Sequence, residues 1–151
     1  MEIERKFLVR NDDFKAQAVK VRHITQGYLV ADGVRTVRIR LCEEDACITV
    51  KGKTQAGGFS RHEYEYPLPL EDAKEMLSLC LPGYIRKTRY CIPYEGHMWE
   101  VDVFEGLHHG LVIAEVELQR EDEDVALPDW IDHEVTGDKR YYNSFIAGIQ
   151  R

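Results

Sequence analysis

Polar and apolar residues alternate along most of this chain. The opening MEIERKFLV places Glu2, Glu4 and Lys6 on one parity and Ile3, Arg5 and Phe7 on the other, the period of two that a β-strand imposes. Comparable runs return at residues 26–31, 34–42, 47–53, 61–66, 84–94, 97–104 and 111–120. In them Arg38 and Arg40 oppose Val37, Ile39 and Leu41, Thr49, Lys51 and Lys53 oppose Ile48 and Val50, and Arg61, Glu63 and Glu65 oppose His62, Tyr64 and Tyr66. Later, Lys87 and Arg89, then Glu100 and Asp102, then Glu115 and Glu117 repeat the pattern against Thr88, Tyr90, Val101, Val103, Ala114 and Val116. The turn at 43–46 predicts a hairpin. Pro67 and Pro69 end the run before them, and the glycines of 54–59 mark a loop.

Helical periodicity is confined to short stretches. Residues 71–80 carry acids in the first turn, where the helix dipole favours them, and a stripe of Ala73, Met76, Leu77 and Cys80; Pro82-Gly83 stops that helix. A second helix is predicted over about 137–149, capped by Thr136 and anchored by Phe145, Ile146 and Ile149. A turn of helix within the polar loop 11–23 and a short helix at 121–125 complete the elements. The sum is a mainly β, α+β fold of seven or eight antiparallel strands, a sheet large enough to curl or close.

Its polar face is unusual. The alternating positions named above hold eight acids and eight bases, with few threonines, serines or glutamines among them. One closure leaves this face wet on a half-buried sheet; the other turns it inward around a water-filled bore and packs the apolar face outward under the helices. Glu2 and Glu4 are roughly 6–7 Å apart along a strand, with Lys6 on the same side. Such a cluster needs a neutralising partner, which a divalent cation with oxygen ligands or a phosphate on the lysine would supply.

Composition narrows the partners. A chain of 151 residues fits one domain over 1–151. A net charge of −7 argues against nucleic acid, which selects basic surfaces, while leaving room for a local cationic pocket. No apolar run approaches the ~20 residues that cross a bilayer, so no membrane partner is expected. The charged start predicts no signal peptide and a cytoplasmic protein. Cys42, Cys47, Cys80 and Cys91 lack zinc spacing and are expected as free thiols.

Several segments in order resemble the CYTH domain of triphosphate tunnel metalloenzymes: EIERKFLV, VRIRL (37–41), TVK, SRHEYE (60–65), KTRY (87–90), WEVDVFEG (99–106), AEVEL (114–118) and EVTGDKRYYN (134–143). The chain is most similar to the short bacterial branch that hydrolyses inorganic tripolyphosphate. The resemblance implies a closed eight-stranded antiparallel tunnel with a charged interior and a few flanking helices. It implies that Glu2, Glu4, Asp102, Glu115 and Glu117 bind Mg²⁺ or Mn²⁺, and that Lys6, Arg38, Arg40, Lys51 and Arg89 hold phosphate. Arg61 and Lys87 share their face and would assist, Lys139 or Arg140 would reach the tunnel mouth, and Glu63 and Glu65 would support the metals. Glu4, Lys87 and Tyr28 are the candidates for direct roles in catalysis, Tyr28 as proton acceptor or as a packed aromatic. The expected ligand is a small polyanion, and a homodimer is left open. Class IV adenylate cyclase, thiamine or nucleoside triphosphatase and a non-catalytic polyphosphate-binding module are the rival functions. The short chain without an evident nucleotide-reading segment favours tripolyphosphate, and the number of acids favours an enzyme over an anion-binding module.

Overall fold

The computed structural model describes residues 1–55 and 60–148. Ten strand segments are present among them: β1 (Glu2–Val9), β2 (Lys20–Ala31), β3 (Thr36–Cys42), β4 (Asp45–Lys51), β5 (Ser60–Arg61), β6 (Glu63–Leu68), β7 (Ile85–Tyr94), β8 (His97–Phe104), β9 (Val112–Glu117) and β10 (Ile131–Glu134). All neighbours pair antiparallel, in the order β10-β1-β9-β8-β7-β2-β3-β4-β6. The run of β6 is continued backwards by β5 across His62, and β5 pairs with β1 at Glu2↔Arg61 and Ile3↔Ser60. Counting β5 and β6 as one bent strand, eight positions form the ring, and β10 lies beside β1 as an extra ribbon. This is the expected antiparallel tunnel, closed by a seam of two residue pairs.

The greasy parity faces outward, as the second closure required. Phe7, Trp99, Trp130 and Phe14 form one buried cluster under α1 (Phe14–Gln17), with ring centroids 5.5–5.9 Å apart between successive members. α2 (Leu70–Ser78) lays its apolar stripe on β3 and β4, burying Ala73 against the cluster that holds Ile39 and Ala46. A two-residue turn, Glu95-Gly96, joins β7 to β8. Both residues have positive φ, 47° and 81°, the backbone that matches the twist of a tight hairpin.

Several expected boundaries move. β2 begins at Lys20, inside the predicted loop, because it pairs with β7 as far as Lys20↔Cys91. Pro67 sits within β6; that strand pairs only with β4 over this stretch, and proline is tolerated at an open edge. Residues 121–125 form no helix: the Glu123 carboxylate instead accepts from the Gln119 backbone N–H and the His97 ring. β10 was not foreseen, since only Ile131 of its four residues is buried.

The C-terminal helix is the main departure. Gly137 has φ of 79°, which an α-helix excludes, and Thr136 Oγ1 accepts the Lys6 backbone N–H instead of capping a helix. A 3-10 turn follows at Lys139–Tyr141, capped by Asp138. Tyr142 is extended, and α3 (Asn143–Ile146) is a single turn; Ile149 lies outside the described residues, as do positions 56–59 of the predicted loop. This segment docks where Gly83, at φ of 104°, leaves space: a Cβ there would stand 1.9 Å from the Ala147 carbonyl oxygen.

Candidate active site

The inward parity lines a cavity of about 240 Å³. Eight cations (Lys6, Arg22, Arg38, Arg40, Lys51, Arg61, Lys87, Arg89) and seven carboxylates (Glu2, Glu4, Glu63, Glu65, Glu100, Glu115, Glu117) face it. Its charge is therefore concentrated and nearly balanced, although the whole chain carries −7.

The charges are sorted by strand. β1, β9 and β8 are adjacent, and their register puts Glu4 directly opposite Glu117 and Glu100 directly opposite Glu115. Like charges facing each other across a ladder repel, but the shifts of these carboxyls follow burial and the other charges around each of them. Burial, reinforced by Glu115 and Glu2 and only partly offset by Lys6 and Lys51, pushes Glu4 up to about 8. Glu117 is also raised, by burial and then Glu2 and Glu100. Glu115 goes the other way: burial opposes its charge, but Lys6, a hydrogen bond with Glu4, Arg89 and Lys87 together hold it well below the usual range. Glu4 thus keeps a proton beside an ionised Glu115. Lys6 lies 3.7 Å from Glu4 and 3.5 Å from Glu115, and Glu2 is held by Lys51 at 3.0 Å and Arg61 at 3.7 Å.

In the ring β3 lies across the barrel from β9, and it carries the uncompensated cations. Among the described residues neither Arg38 nor Arg40 has a carboxylate partner. Arg38 donates to Thr49 Oγ1 at 3.2 Å and leaves its Nε buried and unbonded; Arg40 Nε reaches only Gln26 Oε1, at 3.4 Å. Burial next to Arg38 and Arg89 lowers Arg40 to about 10. Two guanidiniums held this way present planar forks suited to phosphate oxygens.

Beneath them lies a buried polar tier. Asp102, 1% exposed, takes two bonds from Arg89 at 2.7 and 2.9 Å and stands 2.7 Å from Lys87 Nζ. Burial alone would raise Asp102, but Arg89 and Lys87 outweigh it and hold it well below the carboxylate range. Lys87 is lowered to about 7 by burial, Arg89 and Arg40 against the pull of Asp102. Below this tier the inward positions turn apolar: Tyr28, Ile85, Phe104 and Ile113 pack with Ile146 and Ala147. One end of the bore is thereby floored.

The tunnel brings together Glu2, Glu4, Lys6, Arg38, Arg40, Lys51, Arg61, Lys87, Arg89, Glu115 and Glu117. Tyr28 is at the boundary, its ring in the apolar floor and its side chain still lining the cavity. Asp102 sits behind the wall, engaged by Arg89 and Lys87. Lys139 lies outside the cavity, exposed, on an adjoining depression with Arg35 and Lys53. The sequence reading passed over Arg22, Gln26, Tyr142 and Asn143. Arg22 and Gln26 continue the parity of Tyr28 backwards along β2, a signal that was available. Tyr142 and Asn143 come from a segment read as regular helix, and only their place in the YYN motif marked them.

The donor set fits a hard divalent cation. Its groups are oxygens, two acidic pairs face each other, and Glu4 and Glu117 are shifted as an incompletely neutralised cluster would be. Among the described residues no three His, Cys, Asp or Glu side chains form a ready-made metal cluster. Mg²⁺ commonly needs only one or two carboxylates, with water and substrate phosphates completing its shell.

A closed antiparallel barrel with opposed acidic and cationic walls inside defines a tunnel protein for polyanions. The chain belongs to the CYTH family: the model described as CYTH domain matches residues 1–143. It is 47% identical over 147 residues to an inorganic triphosphatase of Acetivibrio thermocellus, covering 97% of this chain and 92% of that protein. It is 37% identical to an inorganic triphosphatase of Nitrosomonas europaea, covering 97% and 96%. A crystal structure of an inorganic triphosphatase superposes with a TM-score of 0.69 at 31% identity, over 97% of this chain and 94% of that one.

Proposed function

We propose that residues 1–151 act as one triphosphate tunnel domain that hydrolyses inorganic tripolyphosphate to pyrophosphate and phosphate with a divalent cation, Mg²⁺ or Mn²⁺. The observation that carries this reading is the pairing of Arg38 and Arg40, which have no carboxylate partner among the described residues, on one wall with the opposed carboxylates, Glu4 protonated among them, on the other. Relatives at 47% and 37% identity that carry the triphosphatase name support it.

In this reading Arg38, Arg40, Arg89 and Lys51 bind the phosphate chain in a site whose reduced dielectric strengthens each contact. Glu4 and Glu117 hold the cation, with Glu2 and Glu115 beside them, and Asp102 orients Arg89 and Lys87. The cation, when bound, neutralises phosphoryl oxygens and polarises the terminal phosphorus. A water oxygen bonds to that phosphorus, the bridging P–O bond breaks, and pyrophosphate leaves; placement and charge stabilisation supply most of the acceleration.

Phosphate release from tripolyphosphate, compared with ATP and with a cyclic-AMP assay, tests the substrate. Release is expected to stop with a chelator and return with Mg²⁺ or Mn²⁺. Because Glu4 keeps its proton up to about 8, a cation must displace it. Calorimetry in buffers of different ionisation enthalpy is expected to find about one proton released per cation at pH 7. Affinity should rise with pH and level off above pH 8.

Tyr28→Phe decides between the two roles of the tyrosine. General-base work is worth about 10²–10⁴-fold, so if its hydroxyl takes the proton of the attacking water the variant is expected to lose at least about a hundredfold. An unchanged rate and pH profile would leave Tyr28 as part of the apolar floor alone.

A further inference from the structure

The polar tier under the cationic wall has a node that does not belong to the barrel. Asn143, on the single turn of α3, sends its side-chain oxygen to Lys87 and to Gln26: Lys87 Nζ donates to Asn143 Oδ1 at 2.7 Å, and Gln26 Nε2 donates to the same atom at 2.9 Å. Gln26, fully buried, accepts from Arg40 Nε through its own Oε1. One carbonyl oxygen therefore joins two inward-facing cations, one directly and one through an amide.

From these contacts, the geometry points to Asn143 as a positioning residue that aims Lys87, and through Gln26 also Arg40, at the bound polyanion. Lys87 is 1% exposed, so its rotamer is fixed by what it bonds. An ammonium has three donors. Asp102 stands at 2.7 Å on one side and Asn143 at 2.7 Å on another, which leaves the third donor for the cavity that Lys87 lines. Removing the Asn143 oxygen would free Lys87 to turn wholly toward Asp102, and would leave the Gln26 amide without the partner that orients its oxygen to Arg40. The oxygen is neutral, so it orients the cations without spending their charge, as a further carboxylate would.

This inference rests on the reading of the bore as a triphosphate site, and the experiment separates the two. Wild type, Asn143→Ala, Lys87→Met and the double variant are compared for phosphate release from tripolyphosphate with Mg²⁺. Asn143→Ala is expected to raise KM about tenfold to a hundredfold, the worth of a hydrogen bond to a charged group, with kcat changed less than about threefold. In the Lys87→Met background the same substitution is expected to add only the smaller Arg40 part, so the two effects fall well short of multiplying. Effects that multiply in full, or a loss confined to kcat, would overturn the positioning role. Should Asn143→Ala not fold, Gln26→Leu is expected to show the Arg40 part as a KM increase with kcat retained, and wild-type KM there would equally overturn it. A wild type that releases no phosphate would sink the function instead, while an active wild type matched by Asn143→Ala would sink this inference alone.

Discussion

Glu4→Gln is expected to cut metal-dependent phosphate release by about a hundredfold or more, the scale on which single electrostatic groups stabilise a transition state, while leaving the resting fold intact. Glutamine has the shape of a protonated glutamate, and Glu4 holds its proton up to about 8. The substitution therefore changes little in the metal-free tunnel at neutral pH; it removes the anion that a cation would uncover. A stability signature follows from the same value. The free carboxyl titrates near 4.5 and the folded one near 8, so between these pH values the folded chain holds the extra proton. Folding stability contributed by that proton is fully present below 4.5 and is lost as pH rises toward 8. Glutamine has no such slope. In metal-free buffer, wild type and variant should melt together near pH 5, with the variant melting higher at pH 8.5. Curves that stay superimposed across that range would remove the proton from Glu4, and retained phosphate release would remove Glu4 from the metal site.

Arg40→Met is expected to trade function for stability. Arg40 is half-buried beside Arg38 and Arg89, lacks a carboxylate partner among the described residues, and is lowered to about 10. A guanidinium with a depressed value costs stability at every pH below about 10. Replacing a cation that is partly desolvated and has no carboxylate partner with an apolar chain of similar length is expected to be neutral to stabilising. A gain of about 1 kcal/mol would raise Tm by about 2–4 °C in a chain of this size. Tripolyphosphate affinity should fall by about tenfold to a hundredfold, since hydrogen bonds to charged groups are worth about 1.5–3 kcal/mol. Melting scans with and without tripolyphosphate read both effects together: the variant should start higher and be stabilised less by ligand. A variant that melts lower than wild type and keeps its ligand shift would show that Arg40 belongs to the fold rather than the site.

The two variants share a cause. Lys6, Lys51, Arg61 and Arg89 each have carboxylates at 2.7–3.7 Å, and such pairs tolerate an empty tunnel. In the proposed function Arg38, Arg40 and the protonated Glu4 are the groups that a bound polyanion and cation would complete. A site that binds polyanion and cation together keeps these groups strained until both arrive, a common cost of function.

Much of the barrel was readable before its structure. Parity alone put Glu2, Glu4 and Lys6 on one side and Ile3 and Phe7 on the other, because a strand turns successive side chains to opposite faces whatever its surroundings. It likewise grouped Arg38 with Arg40, Lys87 with Arg89 and Glu115 with Glu117. The stripe of α2 was legible because 3.6-residue spacing is equally local. The C-terminal segment was misread for the complementary reason. Its residues suit a helix, but Gly137 takes a positive φ, Thr136 bonds to β1, and Tyr142 extends beneath Lys6 and Arg61, whose charges lie 5.7 and 5.3 Å from its ring centre. Each of those partners is far away in the chain.

What the amino-acid order determined by itself is therefore the membership of each face and the chemical classes available on it. The tertiary structure decided which face became the interior, and which charges met there. Glu4 faces Glu117, Asp102 withdrew behind Arg89 and Lys87, Lys139 fell outside, and Asn143 entered from the C-terminus. The physical reason is one of range. Alternation is set within two residues, whereas closure depends on pairing between strands as distant as β1 and β9, and the protonation of Glu4 exists only once that pairing has buried it.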